Sequence, residues 1–173
     1  MKQLPWTLFG VAAPLFLILQ VLPGPASNSP KNPPIVAGQS VRDQVPFSPA
    51  AAQVIEKSCI NCHSNETKWP WYSRVAPASW LIEKDVQKAR RTMNFSDWAT
   101  QKGRKPETAI GAWQASCIDL QQGRMPPKPY LILHPEARLS HQEIDDFCQW
   151  TKQETARLIQ MKRARLQKSS FSH

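Results

Sequence analysis

The sequence predicts an all-α fold. Apolar residues recur at helical spacing between clear helix start and stop signals, and no segment alternates apolar and polar residues as a half-buried strand would. The chain has 173 residues, and several of its 16 prolines cluster between positions 23 and 34. Such a stretch packs poorly, so we expect a single domain of roughly a hundred residues, 47–151, between two appendages.

The first two helices of this domain are predicted at 50–57 and 77–93. Ser48 is a typical capping residue and Pro49 suits the first helical position, so together they mark the start of the first helix. The second helix offers several apolar residues for an inner face, namely Trp80, Leu81, Val86 and Ala89.

Two further helices complete the predicted core. One covers 106–122 and ends at Gly123, a residue typical of helix C-termini. The other opens at Ser140, which forms a capping box with Glu143. Apolar and small residues recur at helical spacing in both helices: Ile110, Trp113, Cys117 and Leu120 in the first, and Ile144, Phe147, Cys148 and Thr151 in the second.

The motif C-I-N-C-H at 59–63 directly follows the first helix. This spacing is typical of covalent haem attachment, because two thiols can add to the two porphyrin vinyl groups and the adjacent histidine can bind the iron. We therefore expect one haem c, with Cys59 and Cys62 as the thioether residues and His63 as the proximal ligand. Helices and loops would wrap around this cofactor.

Two other interpretations of the motif remain open. A zinc site would need Cys117 and Cys148 as its other ligands, although these are two separate cysteines rather than a second C-x-x-C pair. A thioredoxin-like dithiol would need a neighbouring βαβ pattern, which the sequence does not contain.

Met125 is the favoured ligand for the other side of the iron. It lies in the loop G-R-M-P-P at 123–127, which follows a helix end and is stiffened by prolines. A thioether is a soft ligand that favours ferrous iron. His134 is the alternative, and Met93 and His141 are weaker candidates. An open position, with Met125 filling a gap in the core, is also possible.

Aromatic residues are dense around the motif. Trp69 and Trp71 follow it, and four more tryptophans occur later: Trp80, Trp98, Trp113 and Trp150. They could line a haem pocket or act as ordinary core residues. Tyr72 and Arg74 are candidates to hydrogen-bond the haem propionates, because a buried carboxylate needs a donor.

The N-terminal residues 1–25 are expected to be a signal peptide or a membrane anchor. Lys2 precedes an apolar run at 6–22 that would span about 26 Å as a helix. The small residues at 24–26 offer a cleavage site. Either interpretation implies export, and for a c-type haem protein that means the bacterial periplasm, soluble or anchored to the inner membrane. Residues 26–46 are expected to form a Pro-rich linker.

The C-terminal residues 152–173 are expected to form a basic helical tail. The chain carries a formal net charge of +9. The tail contributes six lysines and arginines against one glutamate. It could dock an acidic redox partner or anionic lipid headgroups, or it could be a solvated helix end. A basic run often indicates nucleic-acid binding, but export argues against that partner.

Several motifs in order resemble the bacterial haem-binding domain family of small exported monohaem c-type cytochromes. They are CINCHSNETKWPWYS at 59–73, VAPASW at 75–80, NFSDW at 94–98, GRMPP at 123–127 and HPEARLS at 134–140. The resemblance covers about residues 50–152. It implies a monohaem c-type domain with a cytochrome c-like helical fold.

Cys117 and Cys148 remain after haem attachment. An even pair in an oxidising periplasm suggests a disulfide, although two separate buried thiols are the alternative. For the whole protein, the sequence favours a periplasmic monohaem electron carrier rather than an enzyme. The alternatives are a peroxidase-like haem enzyme or subunit, and a redox or gas sensor with a labile distal ligand.

Overall fold

The computed structural model describes residues 6–21, 31–103 and 105–170. Within these ranges the regular structure is helical and contains no strand, so the all-α prediction is confirmed. The helices are α1 (Trp6–Val21), α2 (Val41–Gln44), α3 (Pro49–Ser58), α4 (Ile60–His63), α5 (Ala78–Thr92), α6 (Trp98–Gln101), α7 (Pro106–Gln121), α8 (Lys128–Leu133) and α9 (His141–Ser170), with 3₁₀ turns at Trp71–Arg74 and Pro135–Ala137.

The four helices predicted for the core are all present as α3, α5, α7 and α9. Their termini follow the expected chemistry. The Ser48 side chain accepts a hydrogen bond from the Ala51 amide at 3.2 Å, and Ser140 and Glu143 form the expected capping box. Helix α7 ends before Gly123, whose φ of +62° lies in the left-handed region that favours glycine.

The core is built around a cluster of aromatic rings. Trp113 is completely buried, with the ring centroids of Trp98 at 4.5 Å and of Trp150 at 5.0 Å. Phe95 stacks on the same ring at 6.2 Å. Trp98, Trp113 and Trp150 are therefore core residues, and such large apolar surfaces stabilise the small domain.

Helices α7 and α9 pack against each other, and α3 packs against α9. The structure joins α7 to α9 by a disulfide between Cys117 and Cys148, whose Cα atoms are 5.1 Å apart. The ion pair between Lys57 and Glu143, at 2.7 Å, connects the end of α3 to the first turn of α9. Because the 59–63 motif directly follows α3, these contacts fix its position against the core.

The segment expected to be a linker is partly ordered into the domain. Within its described part, α2 is capped by Ser40, and Val41 and Val45 are buried in the core. The Val41 amide donates to the Phe95 carbonyl oxygen at 2.7 Å. The two valines, at i, i+4 spacing, and this hydrogen bond attach the stretch to the core.

The expected boundary of the basic tail at 152 also differs from the structure. Helix α9 continues without interruption to Ser170, and Glu154 and Leu158 are buried. Lys162 forms an ion pair with Glu107 at the start of α7. Only residues 163–170 are exposed throughout. The domain therefore extends about three helical turns further than the sequence suggested.

The inner face of α5 is narrower than expected. Val86 is buried, whereas Leu81 is 63% exposed, so its placement on the inner face was wrong. The reason is local, because α5 packs against the Trp71–Arg74 turn and α4. Leu81 lies on the side of the helix that these elements leave uncovered.

Helix α1 covers most of the predicted apolar run. Its Gln20 side chain exchanges two hydrogen bonds with the backbone of Ala76, at 3.1 and 3.0 Å. Among the described residues, none of the helices combines the length and the apolar character needed to cross a membrane. The predicted cleavage site at 24–26 lies outside the described residues, so signal peptide and anchor both stay predictions.

We expect the double variant Cys117→Ser, Cys148→Ser to lower the free energy of unfolding by about 2–4 kcal/mol, because the disulfide no longer restricts the unfolded chain. Denaturant unfolding followed by tryptophan fluorescence measures this difference. Reductant should lower the stability of the unmodified protein to that of the variant and leave the variant unchanged. Equal unfolding midpoints without reductant would contradict the prediction.

Candidate functional site

The motif at 59–63 forms a tight turn, called here the attachment turn. Cys59 caps α3, and α4 follows at once. The amides of Cys62 and His63 both donate to the Cys59 carbonyl oxygen, at 3.2 and 2.9 Å. Both cysteines are free thiols and partly buried. The backbone hydrogen bonds therefore hold two thiols and one imidazole together within a single turn.

Both thiols are neutral at pH 7 in this environment. Burial raises the pKa of Cys59 to about 12 and that of Cys62 to about 11. The Cys59 thiol also donates to the Val54 carbonyl oxygen at 3.8 Å. A thioredoxin-like dithiol needs a lowered thiol pKa, so this environment argues against that interpretation of the motif.

His63 is oriented by a backbone carbonyl. Its Nδ1 lies 3.0 Å from the Met93 carbonyl oxygen. A carbonyl oxygen only accepts, so Nδ1 carries the proton and Nε2 keeps a free lone pair. Burial lowers the pKa of the ring, although hydrogen bonds to the Met93 and Ala89 carbonyls counteract part of this effect. A neutral imidazole with a free Nε2 is the form that binds a metal.

The loop that carries Met125 is held by Asp119 near the end of α7. The amides of Arg124 and Met125 donate to the Asp119 carbonyl oxygen, at 2.9 and 3.3 Å, and Arg124 forms an ion pair with the Asp119 carboxylate at 2.6 Å. That carboxylate is close enough to His63 to raise its pKa in part. The side chain of Met125 is 40% exposed, so it does not fill a gap in the core.

His134 uses both ring nitrogens in hydrogen bonds. Nδ1 lies 3.0 Å from a carboxylate oxygen of Glu136, and Nε2 lies 2.8 Å from the Tyr72 hydroxyl. Because a carboxylate only accepts, Nδ1 donates to Glu136 and Nε2 accepts from Tyr72. The Tyr130 ring stacks on His134 with centroids 4.3 Å apart. His134 must give up its hydrogen bond to Tyr72 before Nε2 can bind iron.

The two weaker ligand candidates lie elsewhere. The Met93 side chain packs against the hydrophobic core, and His141 is exposed at the first residue of α9. Met93 takes part in the site through its backbone carbonyl, which holds His63. A backbone contact of this kind leaves no sign in the sequence.

Asn61 also has a role that the sequence did not indicate. Its side-chain amide donates to the Tyr130 hydroxyl at 3.1 Å, and its side-chain oxygen accepts from the Lys68 amide at 2.8 Å. The residue between the two cysteines thus ties the attachment turn to α8 and to the loop after His63. The motif itself allows any residue at this position.

Of the propionate candidates, Tyr72 is already bonded to His134, and Arg74 is exposed. Trp80, in the first turn of α5, has a buried indole N–H without a hydrogen-bond partner among the described residues. A buried donor without an acceptor is costly, and a carboxylate of a bound group would satisfy it. The core residue Trp113 also has a buried indole N–H without a partner among the described residues. The unpaired N–H of Trp80 therefore supports a bound ligand only together with the thiols and the imidazole of the attachment turn.

Several large apolar side chains of the domain are exposed. They belong to the Trp71–Arg74 turn, α5, α7, the loop after it and α8: Trp71, Leu81, Ile118, Met125, Ile132 and Leu133. These side chains are available to contact an apolar ligand. The thiols, the neutral imidazole, the thioether and this apolar surface together fit a haem.

The zinc interpretation of the motif is wrong. Cys117 and Cys148 are bonded to each other and cannot act as zinc ligands. Within the part of the chain that the structure describes, no group of three or more His, Cys, Asp or Glu side chains could hold a metal ion.

A family model described as a haem-binding domain matches residues 15–153. The match begins in α1, includes the attachment turn and both disulfide cysteines, and ends in α9. No curated protein matches the chain significantly. No solved structure matches it significantly either.

Proposed function

Because this chain belongs to the haem-binding domain family, and is therefore a haem-binding protein, we propose that it is a monohaem c-type cytochrome that carries single electrons. The observation that carries the proposal is the tautomer of His63. Its Nδ1–H donates to the Met93 carbonyl oxygen, so Nε2 is left as a metal ligand. Burial lowers the pKa of the ring and so favours the neutral form, which is the form that binds a metal.

The two cysteines would attach the cofactor. At each one the sulfur and its hydrogen add across one vinyl double bond, so a thioether forms, no atom is lost and no oxidant is consumed. Haem supplies an iron that takes up or releases one electron. Cys59 and Cys62 keep the group in place, while His63 binds the iron on one side.

Met125 is proposed as the second axial ligand. Its loop is fixed at Asp119, its side chain is partly exposed, and both ring nitrogens of its competitor His134 are hydrogen-bonded. If His63 and Met125 both held the iron, no coordination position would be left for a substrate. This favours an electron carrier over a peroxidase-like enzyme or a sensor with a labile ligand.

We propose that the protein is exported to the periplasm. Two features support this location. The disulfide between Cys117 and Cys148 suits an oxidising compartment, and α1 is an uncharged apolar helix near the N-terminus. This location also agrees with covalent haem, which bacteria attach after export.

An acidic redox partner is proposed for the exposed end of α9. The exposed residues 163–170 include three cations that form no ion pair with any described residue: Arg163, Arg165 and Lys168. Lys162, one residue earlier, is already paired with Glu107. Unpaired exposed cations attract an anionic surface over a range that salt shortens.

Covalent attachment is tested by acid and organic-solvent extraction of the purified holoprotein. We expect the colour to stay with the protein, whose mass should exceed that of the polypeptide by one haem. The variant Cys59→Ser, Cys62→Ser should lose it, because no thioether can form. The matched control Cys117→Ser, Cys148→Ser should keep it. Complete extraction of colour from the unmodified protein would refute the central proposal.

Met125→Ala should lower the reduction potential by on the order of 100 mV, because the soft thioether that favours ferrous iron is removed. It should also open the sixth position, so cyanide binds at least tenfold faster. Potentiometry and stopped-flow absorbance measure both effects. His134→Ala should produce neither. The reverse pattern would assign the ligand to His134, and a high-spin, peroxide-binding unmodified protein would favour the enzyme.

The triple variant Arg163→Gln, Arg165→Gln, Lys168→Gln should accept electrons from a small acidic redox protein about two- to tenfold more slowly at low ionic strength. At high salt the difference should vanish, because screening shortens the range of exposed charges. Stopped-flow absorbance measures the rates. An unchanged salt dependence would show that this end of α9 does not take part in docking.

A further inference from the structure

Arg90, in the last turn of α5, connects this helix to the loop 64–69 and to Asn32 in the N-terminal segment. The proposed function does not explain this connection. Its Nε donates to the Ser64 carbonyl oxygen at 2.7 Å. Its Nη2 donates to the Thr67 hydroxyl at 2.8 Å and to the Asn32 side-chain oxygen at 2.7 Å. The guanidinium also lies over the Trp69 ring, 5.9 Å from its centroid.

Arg90 is a partly buried cation without an acidic partner. Within the part of the chain that the structure describes, no carboxylate lies within ion-pair distance of it, and its hydrogen-bond acceptors are neutral. Burying an unpaired charge is costly. The three acceptors and the aromatic face stabilise the guanidinium, and its rigid fork suits several acceptors at once.

The residues 90–95 hold the His63 region at three points. The Met93 carbonyl oxygen accepts from the ring, and the Phe95 amide donates to the His63 carbonyl oxygen at 2.7 Å. Arg90 holds the next carbonyl along the chain, that of Ser64. The carbonyl oxygens of His63 and Ser64 are therefore both held by hydrogen bonds. The backbone that carries the imidazole ring has little freedom to move.

Asn32 extends the same network to the N-terminal segment. Its side-chain amide donates to the Thr67 carbonyl oxygen at 2.9 Å, and its side-chain oxygen accepts from the Trp69 indole at 3.0 Å as well as from Arg90. Two residues on, the Pro34 carbonyl oxygen accepts from Asn65 at 3.0 Å. Residues 32–34 are therefore hydrogen-bonded to the loop 64–69, and Arg90 is hydrogen-bonded to both segments.

We propose that Arg90 is a positioning residue for His63, and that its charge raises the reduction potential of iron bound there. The second half rests on the proposed function. Arg90 acts through the Ser64 backbone and does not itself bind the iron. Arg90 contacts Ser64, the residue that follows the ligand His63, and a cation there disfavours the additional positive charge of ferric iron. The contacts made by Arg90, Met93 and Phe95 set the orientation of the imidazole ring.

Arg90→Gln and Arg90→Lys separate the charge from the hydrogen-bonding fork, and Arg91→Gln is the matched control. Arg91 is exposed on the same turn of α5 and forms no ion pair with any described residue. The measurements are potentiometry of the holoprotein, electron paramagnetic resonance of its ferric state, and hydrogen exchange of the amides of residues 64–68.

Arg90→Gln should lower the potential, shift the ferric resonance and speed amide exchange in the loop about fivefold or more, the factor expected when one or two hydrogen bonds are lost. Arg90→Lys keeps the positive charge, so its reduction potential should equal that of the unmodified protein. Its ferric resonance and amide exchange should still differ from those of the unmodified protein, because an ammonium lacks the planar fork of a guanidinium. Arg91→Gln should change none of them. A folded Arg90→Gln protein with all three signals unchanged would overturn the proposal.

Asn32→Ala keeps the test decisive if Arg90→Gln does not fold. It removes one acceptor of Arg90 and should speed loop exchange while leaving the charge, and so the potential, in place. Unchanged exchange would count against the network. If the unmodified protein holds no covalent haem, the proposed function fails, whereas the exchange experiment on the same chain still tests whether Arg90 fixes the loop.

Discussion

The hydrogen bond between His63 Nδ1 and the Met93 carbonyl oxygen is the contact on which the site depends. It fixes the imidazole tautomer, so that Nε2 is the free nitrogen. It also links the attachment turn to the end of α5, which the chain reaches only after thirty residues. Two helices position the partners of this contact. The attachment turn directly follows α3, and Met93 directly follows α5. Without it the ring could rotate, and the same residues would no longer define one metal-binding direction.

The thiols and the imidazole of the attachment turn are neutral, although charged side chains lie near them. Burial keeps both thiols and the imidazole neutral, and the acceptors around Arg90 are neutral as well. Neutral groups suit the largely apolar macrocycle that the exposed side chains on α5, α7 and α8 would cover. Arg90 is not the only charge near the turn, because the carboxylates of Asp119 and Asp85 also act on His63 and Cys62. If His63 and Met125 bind iron as proposed, these neutral ligands and the charge of Arg90 both favour the ferrous state.

The core and the site are separate but connected. Trp98, Trp113 and Trp150 form a packed aromatic cluster, and the disulfide joins α7 to α9. The attachment turn lies at the edge of this cluster, because α3 packs on α9 and is held there by Lys57 and Glu143. The packed core thus supports a turn whose thiols and imidazole are only partly buried.

The sequence by itself determined the all-α fold, the four main helices and the attachment motif, because periodicity, caps and motif spacing are properties of neighbouring residues. It misplaced Leu81, the described part of the linker and the start of the tail, because exposure depends on which elements pack together. It left open the roles of the tryptophans, and it missed Asn61 and Arg90. The contacts of Arg90 lie 23 to 58 residues away along the chain, and the partner of His63 is a backbone carbonyl. Only the tertiary structure decided these contacts, because packing brings distant residues together and a carbonyl is the same in every residue.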